Sequence, residues 1–222
     1  MTVSLRMAFS RREPAIWLAH LDMMRTFERS VRRAGIPVAY SAGYNPRPQL
    51  AFALPVGVGI ATEADWLDIR LDETAEANAA QAGVWCAALN DHLPPGLAVH
   101  SASLAEDDGP SLMSRVQAAA YRLQTPGLAE AADRLRQTAA DLPWIADKNS
   151  KGRQVKIDIR PLVLRWQLEA ADTLLVTALA GSRRNLRPDL LLQVLCALGG
   201  LDELAAADCQ VTRTRLWLDT LP

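Results

Sequence analysis

Between Val3 and Val31 the apolar residues change their period, and that change constrains the fold more than any other feature of the chain. Val3, Leu5, Met7 and Phe9 alternate with Thr2, Ser4, Arg6, Ala8 and Ser10, the two-residue period of a half-buried strand. From His20 onward Leu21, Met24, Phe27 and Val31 recur at helical spacing, and Arg25, Arg29, Arg32 and Arg33 gather on the other side. Gly35 and Pro37 stop this helix near residue 34, and Asp22 sits in its first turn, where the helix dipole favours a carboxylate. A helix of this kind buries one face and offers guanidinium groups on the other.

The order of elements then repeats. Gln49–Leu54 and Trp66–Leu71 read as strands, residues 74–91 as an alanine-rich helix, and Leu97–Leu104, after Pro-Pro-Gly, as another strand. After the acidic break EDDGP at 106–110, Tyr121–Gln124 reads as a strand and Leu128–Leu142 as a helix, with Leu128, Ala131, Leu135, Thr138 and Leu142 on one side. Val155, Ile157 and Ile159 alternate, Leu162–Leu168 and Leu174–Leu179 are strand-like, Pro188 opens a helix that stops at Gly199-Gly200, and Val211–Leu218 closes as a strand. The expected fold is therefore α+β: two tandem ferredoxin-like (βαββαβ) halves with antiparallel sheets, at 1–105 and 118–222, joined by an acidic linker at 106–117, with an extra strand in the second half.

Following the arginine helix, YSAGYNPRP between Tyr40 and Pro48 excludes regular helix through Pro46 and Pro48 and permits a turn at Gly43. Tyr40 and Tyr44 offer stacking faces, Asn45 an amide that reads a base edge or a phosphate, and Arg47 a fifth guanidinium. Net charge is only −1, yet residues 1–50 hold eight arginines against three acids, and residues 51–110 hold one arginine against ten acids. A second basic region runs from Lys148 to Arg187; within it Lys148, Lys151, Arg153 and Lys156 sit in a glycine-containing loop suited to a phosphate backbone. Arg183 and Arg184, ahead of the helix start at Pro188, form a further candidate contact whose plainer reading is a capped helix start with solvated arginines. These residues, Arg25, Arg29, Arg32, Arg33, Tyr40, Tyr44, Asn45, Arg47, Lys148, Lys151, Arg153 and Lys156, are the candidate nucleic-acid contacts. If residues 36–41 run back along the first helix, GYNPRP shares one pocket with His20 and Asp22.

The run HLDMMRTFERSVRRAG followed by PVAYSAGYNPRPQLAFALPVGVG resembles the bacterial radical-SAM-associated family of unknown function DUF2344, whose members read close to SHLDLxRxxxRALRRAxLPxxYSxGFNPHP. His20, Leu21, Asp22, Arg25, Arg29, Arg32, Arg33, Pro37, Tyr40, Ser41, Gly43, Asn45, Pro46 and Pro48 fit that pattern. Tyr44 stands where the family has Phe and Arg47 where it has His, so no catalytic role for that histidine carries over. The resemblance implies a radical SAM context of the cobalamin type. Only Cys86, Cys196 and Cys209 are present, without the CxxxCxxC run that ligates an iron-sulfur cluster, so the implied radical SAM partner is encoded separately.

Half of the 222 residues are hydrophobic, enough for a sizeable core. The cysteine spacing fits neither a disulfide framework nor a zinc finger, the start MTVSLRMAFS has no signal-peptide run, and no apolar stretch reaches membrane-spanning length, so the cytoplasm is the expected location. Catalytic constellations are thin. His20 and Asp22, two apart at a helix start, are weak catalytic candidates, and His20 reads first as a cap or orienting residue of the strand-to-helix turn. No metal site and no cofactor are expected. Three readings stay open: an RNA-binding accessory domain presenting tRNA or ribosomal RNA to a radical SAM partner; a protein-protein adaptor docking on that enzyme; and an RNA-processing enzyme of tandem ferredoxin-like type, by fold analogy.

Overall fold

A computed structural model describes residues 3–106, 109–138, 142–150 and 152–222. The chain divides into two compact units, residues 1–116 and 117–222. Both combine helices with a mostly antiparallel sheet.

In the first unit the elements are β1 (Val3–Arg11), α1 (His20–Arg33), β2 (Leu50–Phe52), β3 (Ile60–Arg70), α2 (Ala79–Asn90), β4 (Leu97–Glu106) and the short α3 (Leu112–Arg115). Strands lie in the order β4-β1-β3-β2, with each neighbouring pair antiparallel. Period-2 alternation sends Leu5, Met7 and Phe9 of β1 and Leu67 and Ile69 of β3 to the helix side, where they pack with Phe27 and Val31 of α1 and Trp85 and Leu89 of α2. Ser4, Arg6, Asp68 and Arg70 point to the other face, where Ser4 and Asp68 are buried as well. Phe9, Phe27 and Phe52 meet edge-on with ring centroids 5.2–5.7 Å apart, so β2 is pinned beside α1 by aromatic contacts rather than by strand length.

The seam of α1 differs from the expected one. Met23, Phe27 and Val31 are buried together with Thr26 and Ser30, whereas Leu21 is exposed and Met24 half-buried. The helix is rotated because Thr26 donates back to Asp22 O at 2.7 Å and Ser30 to His92 O at 2.9 Å, which lets two hydroxyls sit on the buried face with their hydrogen bonds made. The second helix starts later than residue 74: Asp72 takes the N–H and hydroxyl of Thr74 in a turn, and Asn78 then caps α2 through Gln81 N.

The second unit contains β5 (Val116–Gln124), α4 (Leu128–Thr138), β6 (Ile145–Ser150), β7 (Arg153–Asp158), β8 (Val163–Ala170), β9 (Thr173–Leu179), α5 (Pro188–Gly199), α6 (Glu203–Ala207) and β10 (Gln210–Leu218). Its sheet runs β10-β5-β9-β8, and β6-β7 is a separate two-stranded sheet. Leu128, Ala131 and Leu135 of α4 and Leu190, Val194 and Leu195 of α5 are buried, whereas Leu142 lies beyond the helix and is exposed. The last turn of α5 approaches α4 so closely that a Cβ at Gly199 would lie 2.5 Å from Ala131 O.

Two expectations change here. The interval 106–117 is not a plain linker, because α3 and the start of β5 fall within it. DKNSKGRQVK is no open loop but a hairpin, in register from Ile145 opposite Asp158 to Ser150 opposite Arg153. The extra strand expected in this half is thus one arm of that hairpin, outside the main sheet.

Candidate nucleic-acid interface

All four arginines of α1 are exposed. Arg25 forms an exposed ion pair with Asp22 at 3.7 Å, and Arg32 Nε donates to Glu28 O at 3.3 Å within the helix. Arg29 and Arg33, one turn apart, line a groove of about 730 Å³ against Asp91, His92, Leu93, Pro94 and Pro95, with Pro14, Ala15 and Leu18 at its floor. Neither has an acidic partner among the described residues. The opposite wall is fixed by backbone geometry: Gly96 has φ +88°, Arg12 N–H donates to its carbonyl at 2.7 Å, and a Cβ there would lie 2.6 Å from Arg12 O. The sequence around His92 gives no sign of its place in this groove, because nothing in that neighbourhood announces that β4 brings the 91–96 turn alongside α1.

His20 does not cap α1. The N-cap is Ala19, without a side-chain hydrogen bond, and the His20 ring instead meets Phe52 edge-on at 5.7 Å. Asp22 lies in the first turn, beside Arg25. Among the described residues no three His, Cys, Asp or Glu side chains gather as metal ligands.

The YSAGYNPRP segment forms the tip of a second hairpin. Tyr40 bridges Pro48, Ser41 N–H donates to Arg47 O at 2.9 Å, Arg47 N–H donates to Ser41 Oγ at 3.1 Å, and Gln49 N–H donates to Ala39 O at 2.9 Å. Tyr40 and Asn45 are exposed and Tyr44 is fully so. This tip does not reach His20 and Asp22. Val38 bridges Leu71 and Asp72 N–H donates to Pro37 O, so the segment leaves α1 at its Gly35 end, while the residue of β2 beside His20 is Phe52. Arg47 and Ser41 instead line a pocket with Ser4, Asp68, Arg70 and Leu112, on the face of the sheet that these β1 and β3 residues turn away from the helix-side core. Among the described residues, the pocket that holds Ser41 and Arg47 includes neither His20 nor Asp22, so it is not the expected shared one.

In the second unit, Lys148, Arg153 and Lys156 sit on the β6-β7 hairpin, and Lys151 lies outside the described residues. Lys148 stands opposite Val155 and Lys156 opposite Asp147, so these two lysines point to different faces and one of them faces a carboxylate. Asp147 N–H is held by Gln193 Oε1 at 2.9 Å, which ties the hairpin to α5. Arg187 grips Asp189 through Nε and Nη2 at the start of α5, leaving Arg183 and Arg184 exposed ahead of it. That start is closed by its own ion pair.

Residues 4–188 match the family described as an uncharacterized protein conserved in bacteria, DUF2344. The chain belongs to that family. The matched span covers the arginine helix, the YSAGYNPRP hairpin and the β6-β7 hairpin of this DUF2344 protein, and ends where α5 begins. No curated protein matches the chain. Among the described residues no helix is long and apolar enough to cross a membrane.

Proposed function

We propose that this DUF2344 protein is an RNA-binding accessory protein that presents tRNA or ribosomal RNA to a separately encoded, cobalamin-type radical SAM enzyme in the cytoplasm. The observation that carries the reading is the exposure of Arg25, Arg29, Arg32 and Arg33 on one helix, with Arg29 and Arg33 opening into a groove and no carboxylate among the described residues bonded to either. Guanidinium groups spaced one turn apart along a rigid helix suit successive phosphates, which supply most of the affinity of such complexes. Tyr44, fully exposed on a braced hairpin, adds a stacking platform for an unpaired base. The α1 groove and the pocket beside the hairpin tip share no lining residue, so an RNA engaging both spans two separate parts of the first unit. The strand orders β4-β1-β3-β2 and β10-β5-β9-β8, with the β6-β7 hairpin taken as an insertion, support reading the chain as a tandem of two ferredoxin-like modules. RNA binding at physiological salt, measured as a function of salt concentration, tests the proposal.

A second reading, docking on the partner enzyme, is favoured by an apolar surface at the start of α1. Trp17, Leu21 and Val58 are 63%, 64% and 55% exposed. Fully buried Arg11 holds their loops together, donating to Ile16 O at 3.0 Å, Gly57 O at 2.6 Å and Ile60 O at 3.2 Å. Exposed aromatic side chains on an ordered scaffold are typical anchors of protein interfaces.

A further inference from the structure

The groove between α1 and the 91–96 turn has two unlike walls. Arg29 and Arg33 come from the helix, Asp91 and His92 from the turn, and the rest of the lining is mainly apolar, with Leu18, Leu93 and three prolines. We propose that this groove seats one unpaired nucleotide, with its flanking phosphates on Arg29 and Arg33, its base on the apolar lining and an amino edge of that base on Asp91. The assignment deepens the RNA reading and rests on it.

Both guanidinium groups are available. Neither Arg29 nor Arg33 has a hydrogen-bond or ion-pair partner among the described residues. Four residues along a helix set their roots about 6 Å apart on one face. The turn is tied to that same face, because Ser30, next to Arg29 and three residues before Arg33, donates from Oγ to His92 O at 2.9 Å. Thr26 Oγ1 is likewise committed, to Asp22 O, so the arginines are the donors that α1 has left for a ligand in this groove. Behind the turn, Leu93 N–H donates to Leu89 O at 3.0 Å, Leu97 N–H to Pro94 O at 3.2 Å and Arg12 N–H to Gly96 O at 2.7 Å. Walls already held by hydrogen bonds lose little freedom when a ligand enters.

Polarity selects the occupant. Asp91 is exposed and has no partner among the described residues, so the turn wall offers an acceptor where the helix wall offers donors. A base-paired duplex brings only its phosphate ridge to such a groove, which the carboxylate repels and which leaves the apolar lining in water. An unpaired nucleotide suits every part of it: phosphate oxygens for the guanidinium groups, a flat ring for Leu18, Leu93 and the prolines, and an amino donor for the carboxylate. Cytosine supplies that donor at N4, whereas uracil puts a carbonyl oxygen in the same place. The volume of about 730 Å³ lies within the range of small-molecule sites and accommodates one nucleotide.

Calorimetric titration of the full chain at constant ionic strength tests this with three probes: cytidine 3′,5′-bisphosphate, uridine 3′,5′-bisphosphate, and ribose 3,5-bisphosphate, which keeps both phosphates and lacks the base. The cytidine compound should bind saturably and at least about fivefold more tightly than the ribose compound, as a seated base requires. It should also exceed the uridine compound by at least about fivefold, the worth of a hydrogen bond to a charged group. Arg29→Ala with Arg33→Ala should weaken the cytidine compound by at least about tenfold. Asp91→Ala should lower its affinity and remove its lead over uridine. All three positions are exposed and unpaired among the described residues, so the variants keep the fold. No saturation by about 10 mM cytidine bisphosphate, equal binding of the ribose or uridine compound, or an affinity that rises in Asp91→Ala would each overturn the assignment. Binding of a longer RNA, measured separately, keeps the two readings apart: if it persists after any of these outcomes the RNA reading stands alone, and if it is absent from the unmodified chain both fall.

Discussion

Arg6 and Asp68 face each other across β1 and β3 and join through two parallel hydrogen bonds, Nε to Oδ1 at 2.8 Å and Nη2 to Oδ2 at 2.7 Å. Their side chains are only 14% and 11% exposed. Arg6→Ala therefore leaves a carboxylate with little water around it, and should destabilise the protein by about 3 kcal/mol. Urea unfolding reads this as a lower midpoint with an unchanged slope. The double variant Arg6→Met, Asp68→Leu should recover most of the loss, because an apolar pair leaves nothing unpaired. A midpoint that does not move in Arg6→Ala would show the pair to be screened by solvent.

Arg11 is buried more completely than any expectation for an arginine near a chain start allows. Replacing it with Met keeps the bulk but removes the donors to the Ile16, Gly57 and Ile60 carbonyls, at roughly 1–3 kcal/mol for each group left unsatisfied and without water. Hydrogen exchange should rise at Gly59, whose N–H donates to Ile16 O at 2.8 Å, before the strands of the sheet lose protection. Equal protection at Gly59 in variant and parent would mean that the loop does not depend on Arg11.

RNA binding should separate into two independent parts. Arg25→Ala, Arg29→Ala and Arg33→Ala together should lower affinity and flatten log K against log salt by about one unit of slope for each phosphate no longer neutralised. Tyr44→Ala should cost roughly 1–3 kcal/mol with little change in slope, as loss of a stacked base does. Because these residues share no partner among the described residues, their effects should add. Absence of RNA binding tighter than about 10 µM at physiological salt would defeat the RNA reading. Capture of one cytoplasmic protein that Trp17→Ser then abolishes would put docking in its place.

Burial pushes the Cys209 thiol up to about 11 from its ordinary 9.0, and burial also raises Cys86 and Cys196. The folded state therefore holds the Cys209 proton more tightly than the unfolded chain does. Stability from this group is complete below pH 9 and is lost as the pH rises towards 11, the sign expected for a raised folded-state value. Alkylation by iodoacetamide at pH 8 should be much slower in the native protein than in urea. A fast-reacting native thiol at pH 8 would contradict this environment.

Local sequence determined the elements whose signals are local. Alternation from Val3 to Phe9 gave β1, the helical period with Gly35 and Pro37 gave α1 within a residue of its ends, and Pro188 with Gly199-Gly200 gave α5. The motif that carries the family was also legible in one dimension, as was the exposure of the α1 arginines. Tertiary structure alone decided which groups meet. A one-residue step along a strand changes the face on which a side chain lies, so the register of β1 against β3 placed Ser4, Asp68 and Arg70 in one pocket with Arg47, whose lining includes neither His20 nor Asp22. It also took Arg11 out of the basic surface that its charge suggested and folded the lysine-rich loop into a hairpin with Lys156 opposite Asp147. Charge and period are properties of neighbours along the chain; burial, pairing and pocket membership depend on strand partners as far apart in the chain as Val3 and Glu106.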